Sequence, residues 1–174
     1  NAEVYGNLYN WYAVDDDRGV CPENFHVPSK AEFDDLLIRL GLDGGLSVCG
    51  LWQGTNEGSK LANRGDLWFD NSSGNGIMDD SEFGSSGFDW LPSGSMHFDG
   101  SGHNMDLGMA GRILTSSEAD NTISTHLQLE YYTSQVRCDI TNKHNGYSIR
   151  CLSDELENTT ILVPENFATI QEAI

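Results

Sequence analysis

The chain has 174 residues, the length of one domain or of one domain with part of another. Nine basic against 27 acidic residues give a net charge of −18, which argues against a protein that binds nucleic-acid phosphates. With 38% hydrophobic residues the chain has enough apolar material for a folded core, and its apolar runs are too short for membrane insertion.

The first half of the chain predicts a strand and two helices. The aromatic-rich segment 7–14 predicts the strand. A Ser N-cap, a Glu three residues later and apolar residues at helical spacing predict a helix over 30–40, which Gly41 ends. We interpret His26 as a hydrogen-bonded core histidine that orients the start of this helix. A shorter helix is predicted over 58–63.

A glycine-rich acidic segment after the helices has the spacing of an EF-hand calcium loop. Counted from Asn71, oxygen-bearing side chains stand at positions 1, 3, 5, 9 and 12, and glycine stands at position 6. Position 1 is normally Asp, which Asp70 can replace after a small shift of register. We therefore predict calcium as a cofactor, and the alternative is a solvated turn without flanking helices. The predicted ligands are Asp70, Asn71, Ser73, Asn75, the Ile77 carbonyl, Asp79 and Glu82.

The segment from His97 to Glu130 carries many amide, carboxylate and imidazole groups on predicted loops. Such groups suit the binding of sugar hydroxyls or of a metal, and the alternative is an ordinary polar loop. Trp90 precedes the segment and can supply an aromatic face, although core packing is the alternative for each of the four tryptophans. The predicted ligand surface consists of Trp90, His97, His103, Asn104, Glu118, Asp120 and Asn121.

Alternating apolar and polar residues predict strands at 127–131, 136–140 and 147–151. A polar turn joins the last two, which predicts a hairpin with Cys138 and Cys151 diagonally opposed, near or beyond the disulfide limit of about 7 Å. Each of these cysteines therefore needs a partner elsewhere. Four cysteines without zinc-site spacing predict two disulfides and an oxidising, extracellular or periplasmic compartment.

The end of the chain differs in character from the rest. Residues 155–160 form a polar linker, and residues 161–174 predict a strand, a turn and the start of a helix. This last segment resembles the entry of right-handed parallel β-helix proteins. The resemblance implies that a β-helix follows in a longer parent protein, of the class that includes polysaccharide lyases, glycoside hydrolases and adhesins. The absence of Met at position 1 also indicates a piece of a longer protein.

Five separated phrases within residues 6–153 resemble the Fibrobacter succinogenes major paralogous domain. They are Gly6–Ala13, Cys21–Ser29, Gly74–Gly76, Gly87–Gly94 and Gly146–Cys151. The resemblance implies a C-type lectin-like, loop-rich α+β fold with one main helix and paired terminal strands. It also implies a secreted or surface-anchored protein, usually without a known enzymatic activity.

The pairing of terminal strands that the resemblance implies brings Cys21 near Cys151 and leaves Cys49 to Cys138. We divide the chain into a lectin-like domain at 1–154, a linker at 155–160 and the start of a β-helix at 161–174. The function predicted is a non-enzymatic extracellular module that binds a carbohydrate or a cell-surface partner, because hydrolase, phosphate-loop and zinc-protease motifs are absent from the sequence. The alternatives are an accessory domain of a β-helix polysaccharide lyase or hydrolase, and a structural spacer of an adhesin.

Overall fold

The computed structural model describes residues 2–70, 74–98 and 104–154, which form a mixed α+β fold. The helices are α1 (Ala2–Tyr5), α2 (Trp11–Val14), α3 (Lys30–Leu40) and α4 (Glu57–Leu61), with a 3-10 turn at Gly65–Leu67. The strands are β1 (Phe25–His26), β2 (Trp52–Gln53), β3 (Ser95–Met96), β4 (Asn104–Met105), β5 (Ala110–Glu118), β6 (Ile123–Glu130), β7 (Val136–Asn142) and β8 (Leu152–Ser153). The predicted linker and the predicted start of a β-helix lie outside the described residues.

The main helix α3 begins and ends at the predicted residues. The Ser29 hydroxyl accepts a hydrogen bond from the Glu32 amide, and the Glu32 carboxylate accepts one from the Ser29 amide at 2.7 Å, so the capping box is complete. Gly41 closes the helix with a φ of 118°, a left-handed conformation that favours glycine. The second predicted helix is also confirmed, as α4, with Leu61 fully buried.

A four-stranded antiparallel sheet with the order β2-β7-β6-β5 forms the centre of the domain. One face of this sheet belongs to the hydrophobic core, through Ile113, Leu127, Leu129, Val136 and Cys138. The core also contains Phe33 and Leu37 of α3. The opposite face, which we call the polar face, carries Arg112, Ser124, His126, Gln128, Glu130, Arg137, Asp139 and Thr141.

The first and last strands of the domain are paired, as the family resemblance implies. In β1 and β8, Phe25 lies opposite Ser153, and an isolated bridge joins Tyr9 to Tyr147. The predicted strand over 7–14 is wrong apart from this bridge, because its second half is helix α2. The Asn10 side chain accepts a hydrogen bond from the Ala13 amide at 3.2 Å, and this N-cap favours the helical turn.

The predicted hairpin between 136–140 and 147–151 is wrong. Strand β7 pairs with β6 along one edge and with β2 at Val136 and Arg137 on the other, and the chain after Gly146 does not pair with it. That chain instead contacts other elements, and the Ser148 amide donates to the Arg112 carbonyl at 3.2 Å. Much of the segment predicted as loops is strand, because β5 and β6 pair from Ala110 to Glu130.

Two disulfides join distant parts of the chain. Cys21 is bonded to Cys151 with a Cα–Cα distance of 5.8 Å, and Cys49 is bonded to Cys138 with a Cα–Cα distance of 4.5 Å. These are the pairs that the family resemblance implies. The first disulfide holds the end of the domain close to its beginning, and the second fixes the loop before β2 to the central sheet.

Candidate functional site

Two of the predicted calcium ligands in the described part of the chain already have neighbouring partners. The Ile77 carbonyl accepts a hydrogen bond from the buried Ser59 hydroxyl at 2.6 Å. The Glu82 carboxylate lies 2.9 Å from Asn56 Nδ2 and 3.5 Å from Lys60 Nζ. The Ile77 carbonyl and the Glu82 carboxylate are therefore already bonded to neighbouring residues, whereas the ligands of an EF-hand loop bond to the ion.

The remaining predicted ligands differ in where they lie. Asp70 is exposed, and Asn71 and Ser73 lie outside the described residues. Asn75 and Asp79 line a groove on the surface. Among the described residues, no three His, Cys, Asp or Glu side chains are grouped so that they could hold a metal ion.

The groove has a volume of about 530 Å³ and is formed by three loops, and we call it the loop groove. It is lined by Gly54, Thr55, Gly74, Asn75, Gly76, Asp79, Asp80, Thr133, Ser134 and Gln135. Apart from two carboxylates, the lining side chains are hydroxyls and amides. The glycines expose main-chain groups in addition. The surface therefore offers both donors and acceptors of hydrogen bonds.

Hydrogen bonds between the loops fix the walls of the loop groove. The Ser134 hydroxyl donates to the Thr55 carbonyl at 2.7 Å, and Gln135 Nε2 donates to the Gly54 carbonyl at 2.8 Å. Beneath them, the carboxylate of the buried Glu57 accepts from the Thr55 amide at 2.7 Å. A groove braced in this way is largely formed before a ligand binds.

A row of four aromatic side chains, two of which belong to segments that continue into the groove wall, forms what we call the aromatic ridge. It runs from Phe69 through Tyr131 and Tyr132 to Trp52, with successive ring centroids 5.1, 5.4 and 5.9 Å apart. Phe69 is 50% exposed and Tyr132 is 45% exposed. Tyr132 directly precedes Thr133 of the groove wall, and Trp52 lies two residues before Gly54. The sequence prediction missed this ridge, although Tyr131 and Tyr132 at the end of a predicted strand were a visible signal.

The predicted ligand surface around Trp90 requires correction. Trp90 is 1% exposed and packs against Phe33 and Phe88 in the core, so it presents no aromatic face to a ligand. Its burial follows from its position beside the central sheet, where Gly111 leaves room for the indole ring.

The other predicted ligand residues that the structure describes lie on several different elements. Glu118 pairs with Lys143, and the Asp120 carboxylate accepts the Thr122 and Ile123 amides at 2.7 and 2.9 Å. These hydrogen bonds hold the β5–β6 turn and lower the pKa of Asp120, beside an exposed Asn121. Asn104 begins β4, and His103 lies outside the described residues. His97 lines a separate cavity.

That separate cavity lies on the polar face of the central sheet and has a volume of about 370 Å³. Arg112 lies in its wall, 3.0 Å from the Asp106 carboxylate and 3.1 Å from that of Glu130. His126 also lines it, is 4% exposed and stacks on Tyr147 with 4.7 Å between ring centroids. Burial lowers the pKa of His126 to about 4, so its imidazole is neutral at neutral pH. We call this space the polar cavity.

His26 is hydrogen-bonded as predicted, but it lies at the surface rather than in the core. Its Nδ1 is 2.5 Å from the Asp154 carboxylate and its Nε2 is 2.8 Å from that of Glu32. Because both partners are acceptors, the ring fits best as an imidazolium that donates from both nitrogens. The hydrogen bonds to Asp154 and then Glu32 raise the pKa of His26.

The comparisons with known proteins bear on this set of sites. A family model of the Fibrobacter succinogenes major domain matches residues 1–153. The comparisons with curated proteins and with solved structures gave no match. None of the helices in the described part of the chain is both long and apolar enough to cross a bilayer.

Proposed function

We propose that this chain, which belongs to the Fibrobacter succinogenes major domain family, is a non-enzymatic extracellular module that binds a carbohydrate or a cell-surface partner. The two disulfides support an extracellular setting, since such bonds persist in oxidising compartments. The observation that carries the binding role is a polar groove whose wall at Thr133 directly follows the half-exposed Tyr132 of the aromatic ridge.

This combination of surfaces suits a sugar. A sugar ring presents hydroxyl groups around its edge and a less polar face formed by C–H groups. The hydroxyl and amide groups of the loop groove can bond to the edge, while Tyr132 and Phe69 of the aromatic ridge can cover the face. The volume of about 530 Å³ lies within the usual range of ligand pockets.

The charge of the loop groove favours a neutral ligand. Among the described residues, Asp79 and Asp80 are the only ionisable ones in its lining, and the whole chain carries a net charge of −18. Carboxylates accept hydrogen bonds from sugar hydroxyls but repel acidic sugars. We therefore expect a neutral glycan rather than a uronic-acid polymer.

Calcium binding is a further proposal for the loop groove. Asn75, Asp79 and Asp80 place three oxygen-bearing side chains on the same surface, which are ligands of the kind that calcium prefers. Glu82 is held by Asn56 and Lys60, so it is a weaker candidate than the sequence spacing indicates. A bound calcium ion would supply positive charge to this acidic region.

Two other roles predict different binding results. An accessory domain of a β-helix polysaccharide lyase or hydrolase would bind the polysaccharide that its parent enzyme degrades. A structural spacer of an adhesin would bind no glycan. A glycan-binding experiment on this domain alone therefore distinguishes the spacer, which would bind no glycan, from the two roles that require binding.

A glycan array with and without calcium tests the proposal, and two tyrosine variants then place the site. Tyr132→Ala removes a ring of the aromatic ridge and should weaken glycan binding about three- to tenfold. Tyr12→Ala is the matched control, because Tyr12 is 44% exposed and contacts His144 instead of the ridge. Binding to no glycan would contradict a carbohydrate role. Equal losses in the two variants would show that the ridge is not the site.

A further inference from the structure

Unpartnered polar atoms are concentrated on the polar face of the central sheet. The described residues contain five buried side-chain nitrogen or oxygen atoms without a hydrogen-bond partner among them. Three of the five, Ser124 Oγ, His126 Nδ1 and Arg137 Nε, belong to this face. Of the three residues, His126 lines the polar cavity, and because buried polar groups are normally hydrogen-bonded, its unpaired Nδ1 indicates a missing partner there.

The polar cavity is lined by several residues of the polar face besides His126. His126 and its cross-strand neighbour Asp139 both line the cavity, as do Gln128 and Thr141 of the same face. Thr141 and Tyr147, which also lines the cavity, share a hydrogen bond of 2.7 Å between their hydroxyls. The cavity of about 370 Å³ therefore has rigid polar walls and is at the small end of the range for ligand pockets.

The charges around the polar cavity disfavour an anion. Arg112 is held between Asp106 and Glu130, and Arg137 is paired with Asp139, so three carboxylates face two guanidinium groups. The charges of Arg112 and Arg137 are therefore already neutralised, so the two guanidinium groups attract an anion only weakly.

We propose that the polar cavity is a second binding site, which takes one small neutral hydroxyl-rich molecule such as a single sugar ring. Neutral His126 can donate or accept at its free ring nitrogen, and side chains such as Gln128 and Asn145 add amide groups beside it. The polar cavity shares no lining residue with the loop groove, so this site does not depend on the function proposed for that groove.

Nuclear magnetic resonance of the His126 ring nitrogens tests the proposal in the unaltered protein. The probes are glucose, galactose and N-acetylglucosamine, with glucuronate as the charged counterpart. At least one neutral sugar should shift the His126 signals in a saturable way, and glucuronate should bind more weakly. No shift with any neutral sugar would overturn the proposal, since ordered water alone would then fill the cavity. Tighter binding of glucuronate would also overturn it.

Two variants then separate this site from the loop groove. His126→Phe keeps a ring to stack on Tyr147 but removes both ring nitrogens, and calorimetry should show roughly tenfold weaker binding of the same sugar. Tyr132→Ala alters the aromatic ridge and should leave the His126 shifts of the parent unchanged. Loss of these shifts in Tyr132→Ala would show one shared site and would refute a second one, whether or not His126→Phe folds.

Discussion

Gly58 lies where α4 meets a wall of the loop groove, and its replacement by alanine gives a sharp test of that packing. A Cβ atom at this position would lie 2.7 Å from the Ser134 carbonyl oxygen and 2.9 Å from the Gln135 carbonyl carbon. Both are backbone atoms, and the Ser59 amide also donates to the Ser134 carbonyl at 3.2 Å. Real Cβ atoms do not approach other atoms so closely, so the helix or the wall has to move.

The cost of Gly58→Ala follows from two opposing effects. Overpacking of this kind destabilises by about 1 to 3 kcal/mol, and three backbone contacts, the closest to the Gln135 carbonyl oxygen, place Gly58 near the upper value. Alanine recovers about 1 kcal/mol in a helix through its better propensity. We expect a net loss of about 2 kcal/mol in the free energy of unfolding. For a domain of this size, that loss lowers the melting temperature by roughly 4 to 8 °C.

Thermal melting followed by circular dichroism measures this effect, with Gly65→Ala as the matched control. At Gly65 the nearest atom to an added Cβ is the flexible Met78 Sδ at 3.3 Å, so the melting temperature should change little. Because Ser134 and Gln135 line the loop groove, Gly58→Ala should also weaken glycan binding more than Gly65→Ala does. A Gly58→Ala protein that melts at or above the parent would refute the packing argument.

Three further predictions concern the disulfides, His26 and calcium. Replacing Cys21 and Cys151 together by serine should cost up to about 5 kcal/mol, because the bond spans 130 residues, and peptide mapping without reduction checks the pairing. His26 has a raised pKa, so its stabilisation is complete below its ordinary pKa of 6.5 and is lost as pH rises through the folded value. His26→Gln should therefore destabilise by up to about 1 kcal/mol at pH 5.5 and by less at pH 9 in urea unfolding, and equal losses at both pH values would contradict this. Removing calcium with a chelator should lower the melting temperature, since a ligand at a hundredfold excess over Kd stabilises by about 2.7 kcal/mol, and Asp79→Asn should abolish the difference. An unchanged melting temperature would count against the site.

Local patterns were sufficient to predict several elements of the fold. The capping box and Gly41 determine α3, because the hydrogen bonds involved join residues three or four positions apart. The alternation in 127–131 and 136–140 likewise predicts β6 and β7, since one face of the sheet has to be apolar. The exclusion of a Cys138–Cys151 bridge was correct, although the hairpin from which it was argued does not form.

The partners of these elements depend on the tertiary structure. Nothing local to 136–140 shows that this strand pairs with β6 and β2, so the sequence favoured a hairpin with 147–151. Trp90 was predicted at a ligand surface because a sequence does not show that Gly111, twenty-one residues later, makes room for its ring.

The sequence alone determined the main helix, the two long alternating strands and an acidic, disulfide-bonded domain with a family resemblance that the comparison confirms. Only the tertiary structure decided which polar residues share a surface. The loop groove joins residues 54–55, 74–80 and 133–135, and the polar cavity joins β5, β6 and β7. Secondary structure arises from bonds between near neighbours, whereas a binding site depends on packing that brings distant segments together, and that packing is a property of the whole chain.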